Sequence, residues 1–93
     1  MRTFDYYLSI ETRCDDEYEL GIDSKITTEE IDVVKDTLEK LTKKKIFSQE
    51  EIDIFASCIS ILTYKQINFA YIFDNITSEA KEIFDSFNFC IWK

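Results

Sequence analysis

The sequence predicts an α+β fold, a small and mostly antiparallel sheet with about three helices packed on one face. Three observations predict it. Residues 4–22 alternate apolar and polar with a period of two. Two later segments carry helix-start signals. A single Gly and no Pro among 93 residues imply tightly connected elements. A chain of this length is expected to form one domain, 1–93, with one modest core.

Phe4, Tyr6, Leu8, Ile10 and Thr12 alternate with Asp5, Tyr7, Ser9, Glu11 and Arg13, the pattern of a half-buried strand. Tyr18, Leu20 and Ile22 then alternate with Glu17, Glu19, Gly21 and Asp23. Cys14-Asp15-Asp16 supplies turn-tolerant residues between them, so a hairpin is expected. In it Tyr7 points outward among acids and Tyr18 points inward. Tyr7 then either anchors an interface through its ring and hydroxyl or packs across the hairpin against Gly21 or Glu19.

Two helix starts share one grammar. In "ITTEEI" Thr27 caps, Glu30 reaches back three residues, and Ile26 and Ile31 form a hydrophobic staple. In "FSQEEI" Ser48, Glu51, Phe47 and Ile52 take the same places. The first helix is expected over about Thr28–Lys44, with Ile31, Val34, Leu38 and Leu41 as its apolar stripe. Lys40, Lys43, Lys44 and Lys45 then crowd its negative end, which a helix C-terminus favours. The second helix, from Gln49 to about Tyr64, is apolar nearly all round and must be central or covered by a partner.

Alternation and β-propensity favour a strand over Gln66–Phe73, with continuation of the second helix as the rival. A third helix restarts at "NITSEAKEIFDSF", capped by Thr77 or Asn75, with Ala80, Ile83, Phe84 and Phe87 on one face. "FNFCIWK", Phe87 to Trp92, closes the chain as a short strand, with Trp92 expected to tuck over the helices. The order is β-β-α-α-β-α-β.

Composition excludes much chemistry. With no His there is no imidazole base, no Ser-His or Cys-His pair and no histidine metal ligand. One Gly leaves no glycine-rich phosphate loop. "DDE" at residues 15–17 lacks the ligand spacing and mid-loop Gly of a calcium loop. The widely spaced Cys14, Cys58 and Cys90 read as thiols of a reducing compartment, two of them buried and one near a turn. No catalytic residue, cofactor or metal is expected. No apolar run reaches the ~18–20 residues of a membrane span, and the N-terminus lacks a signal-peptide core. Localisation is expected in the cytoplasm of a bacterial host cell.

Charge is the remaining lead. Residues 1–36 hold eleven acids against four bases, net −7 of the chain's −8. Such a surface repels nucleic acid and anionic membrane and attracts basic partners. On the hairpin reading the partner-binding residues are Asp5, Tyr7, Glu11, Asp15, Asp16, Glu17, Glu19 and Asp23, joined by Glu29 and Glu30 of the first helix. The hairpin's seven carboxylates on a strand of roughly 33 Å give about one charge per 5 Å. Duplex DNA carries about one per 1.7 Å and each strand one per 3.4 Å, so the hairpin alone is too sparse to imitate a duplex.

The expected function is a non-catalytic acidic binding protein, monomeric or homodimeric. It would inhibit a partner by occupying its basic, nucleic-acid-handling surface, as a phage-encoded inhibitor of host defence would. The alternatives are an immunity-type protein that neutralises a toxin, or an oligomerisation module using the apolar second helix or the terminal strand.

Overall fold

In a computed structural model, which describes residues 2–23 and 25–87, the chain is helical. Helix α1 spans Phe4–Leu20, α2 Thr28–Leu41, α3 Gln49–Tyr64 and α4 Ser78–Ser86, with a 3-10 helix at Ala70–Asn75 between α3 and α4. No strand occurs among the described residues, which overturns the α+β expectation and its antiparallel sheet. The terminal strand expected at 87–92 lies, beyond Phe87, outside the described residues.

Helix α1 replaces the expected hairpin. Its buried residues are Tyr7, Ile10 and Cys14, spaced by three and four, with Phe4 and Tyr6 packed beside them. The same run therefore satisfies a period of 3.6 as well as a period of two, and burial chose the former. The lone glycine ends the helix. Gly21 is left-handed (φ +69°), and its N–H donates to the Glu17 carbonyl, as expected at a helix C-terminus. An added methyl there would meet nothing within 4 Å. Gly21→Ala should therefore cost only the backbone penalty, about 1 kcal/mol in urea denaturation.

Both capping boxes form as expected. Thr27 and Ser48 accept from the Glu30 and Glu51 N–H groups, and each glutamate accepts from the cap's own N–H. Helix α2 ends at Leu41 rather than Lys44, because the N–H groups of Lys43 and Lys44 turn to carbonyls three residues back. Helix α3 runs Gln49–Tyr64 as expected and is central. Its Ile54, Phe55, Cys58, Ile59, Ile61 and Leu62 are buried in the core formed with α1 and α2. Its apolar faces are covered by its own chain.

Gln66–Phe73 is neither strand nor a longer α3. Gln66 is left-handed (φ 57°) and the Ile67 N–H reaches back to the Leu62 carbonyl at 2.9 Å, a helix ending made without the usual glycine. The Asn68 side chain then accepts from the Ala70 N–H at 3.0 Å and starts the 3-10 helix. Phe69 and Ile72 face the core. Thr77 is the cap of α4 and also its fastening: its N–H donates to the Thr42 carbonyl at 2.9 Å and its hydroxyl to the Lys44 carbonyl at 2.6 Å.

Helices α1 and α3 run parallel, with α2 antiparallel to both. The Phe4 N–H meets the Glu50 carboxylate where α1 and α3 begin, and Tyr64 meets Asp15 where they end. Tyr7 bonds Thr37 late in α2, whereas Arg13 bonds Glu30 near its start. This arrangement points one side of α1 outward along most of its length. No described helix is long and apolar enough to cross a membrane.

Candidate functional site

The helical form of α1 redistributes its acids. Successive residues turn by about 100°, so Asp15, Asp16 and Glu17 point in different directions. Residues four apart do share a face, and this aligns Glu11, Asp15 and Glu19, with Leu8 and Tyr18 at the intervening three-residue steps. Leu8, Tyr18 and Glu19 are exposed, and Glu11 and Asp15 half-buried. No ion pair to Glu11, Asp15 or Glu19 forms among the described residues.

The end of α3 completes this face. The Tyr64 hydroxyl donates to Asp15 Oδ1 at 3.1 Å, and the Tyr18 and Tyr64 rings lie 5.8 Å apart between centroids, inclined at 47°. Partial burial, and then the Asp15 carboxylate, push the Tyr64 phenol above its ordinary value, with Glu11 and Glu19 acting in the same direction. All three carboxylates thus bear on one phenol.

The other expected site residues separate from this group. Tyr7 is fully buried, not outward: its hydroxyl meets Thr37 Oγ1 at 2.6 Å in the core, and burial raises its phenol. Tyr18, expected inward, is 78% exposed. The two tyrosines exchange roles because a helix buries positions 7, 10 and 14 whereas a strand buries every second residue. Glu17 pairs with Lys65 at 3.3 Å. Asp23 accepts from the Lys25 N–H at 3.0 Å. Asp5 sits near the start of α1, about 21 Å along the axis from Glu19. Asp16 and Glu29 are exposed, outside the aligned stripe.

Glu30 holds the fold together. The Arg13 guanidinium, ahead of the Thr27 backbone, keeps its carboxyl below the ordinary 4.5, and Lys44 does the same for Glu51. Each glutamate therefore caps one helix while tying it to a neighbouring segment. A carboxylate favoured in its ionised form by folding contributes stability that is complete above 4.5 and lost as pH falls through its lower folded value. Glu30→Gln and Glu51→Gln should lower the melting temperature near neutrality. The difference from the native chain should shrink below 4.5 in dichroism melts run from about pH 7 to about pH 3.

Cys14 and Cys58 are free and buried, Cys14 in the middle of α1. Burial pushes the Cys14 thiol up to about 11 and the Cys58 thiol higher still. Neither is poised as a nucleophile. Cys90 lies outside the described residues. Among the described residues no cluster of three or more His, Cys, Asp or Glu could hold a metal ion.

Sequence reasoning missed Tyr18 and Tyr64 as surface residues. Spacing by three and four through Glu11, Asp15, Tyr18 and Glu19 was the signal, readable once the segment is treated as a helix. No protein-family model, no curated protein and no solved structure matches this chain.

Proposed function

We propose that this chain is a non-catalytic acidic binding protein that inhibits a partner protein by laying the exposed face of α1 on its basic surface. The alignment of Glu11, Asp15 and Glu19 on one face, without ion pairs among the described residues, carries this reading. Like charges four residues apart weaken a helix, so the stripe has a stability cost that binding would offset. Its charges are about 6 Å apart along the axis, sparser than the 3.4 Å of a nucleic-acid strand. Charge complementarity to a basic protein surface fits that spacing better than imitation of a duplex.

The test is affinity capture from a bacterial lysate at low salt with salt-graded elution, comparing the native chain with Glu11→Gln/Asp15→Asn/Glu19→Gln. A partner held by this face is released as salt shortens the screening length from about 30 Å to about 8 Å, and the neutralised variant fails to retain it. Retention by the variant equal to that of the native chain would end the proposal. The host-defence and toxin-neutralising versions share this chemistry and separate on the identity of the captured protein.

A further inference from the structure

We infer that this face docks an arginine-bearing segment of its partner, with a guanidinium against the Tyr18 ring near Glu19 and the rest of the segment running along the face toward Glu11, about two helical turns away; this rests on the acidic-face reading above. Two aromatic rings stand outside the core at the end of the acidic stripe, Tyr18 at 78% and Tyr64 at 38% exposure. Exposed tyrosines are apolar area left open to water, and in interfaces such rings serve as anchors. Their surroundings here are anionic, which specifies the sign of what covers them. The Tyr64 hydroxyl proton is committed to Asp15, so Tyr64 braces the stripe while the more open Tyr18 ring offers its face.

An aromatic face near Glu11 and Glu19, which form no ion pair among the described residues, discriminates between the two common cations. A guanidinium is planar, weakly hydrated and able to stack on a ring while donating through its edge to a carboxylate. An ammonium is a compact, strongly hydrated point charge that gains less from the ring. The carboxylates attract either cation; the Tyr18 ring favours arginine.

The experiment titrates the full chain calorimetrically with a synthetic peptide of alternating arginine and serine, and with its lysine counterpart of equal length. The native chain is expected to bind the arginine peptide roughly five-fold more tightly. Tyr18→Ala, whose fold is checked by far-UV dichroism, should abolish the preference while both peptides still bind. Equal affinity for the two peptides, a lysine preference, or a preference that survives Tyr18→Ala overturns the arginine inference and leaves the acidic face standing. Binding of neither peptide, or binding unchanged by Glu11→Gln/Asp15→Asn/Glu19→Gln, removes both.

Discussion

Ile10→Ala should destabilise the chain by about 2–5 kcal/mol, while Leu8→Ala should cost no more than about 1 kcal/mol. Ile10 is completely buried in the core shared by α1, α2 and α3, so removing its outer carbons loses transfer energy and leaves a cavity. Leu8 lies two residues away and is 42% exposed on the acidic face. In a hairpin the two residues would point to the same side and suffer alike; in a helix they stand about 200° apart. Urea denaturation of the two variants reads the difference directly. Since small domains hold only about 5–15 kcal/mol in total, the Ile10 variant should lose a large share of its stability. Similar losses at both positions would contradict the helical α1.

Neutralising the stripe with Glu11→Gln/Asp15→Asn/Glu19→Gln should move binding and stability in opposite directions. Each surface charge contributes about 0.2–1 kcal/mol to a complementary contact, so three together should weaken binding to a basic partner by about 3- to 160-fold. The loss should be largest at low salt, because the charges act first on the rate of encounter. The free protein should gain stability, since two like-charge steps of four residues each cost a helix about 0.2–0.5 kcal/mol. Paired measurements of affinity against salt and of the melting temperature test this together. A variant that loses binding and also melts earlier would show the carboxylates to be structural.

Legibility in the sequence followed how local the deciding interaction was. Capping needs residues within four positions of one another, so Thr27 with Glu30 and Ser48 with Glu51 could be read without tertiary knowledge, and the cap of α4 was narrowed to Thr77 or Asn75, of which the structure uses Thr77. The start and end of α3 and its burial followed from an apolar pattern too wide for a surface helix. The break after α3 was obscured because Gln66, not glycine, takes the left-handed position and Asn68 sets the next turn through a side-chain bond. The site was half legible: its acidity lay in the sequence, but its membership did not. Tyr7 left the surface, Glu30 became a structural tie, and Tyr18 and Tyr64 entered as neighbours.

By itself, the sequence determined the charge imbalance, the lack of histidine and of a glycine-rich loop, the helix caps and the need to cover α3. Only the tertiary structure decided that residues 4–20 form a helix. Phe4 to Cys14 fits both periods, and no local interaction separates them. Helix α3 supplies the separation, because its exposed apolar side must be covered along its length and a stripe of Phe4, Tyr7, Ile10 and Cys14 on a parallel neighbour covers it. That one choice also aligned Glu11, Asp15 and Glu19, so the surface proposed to bind follows from how the core is filled.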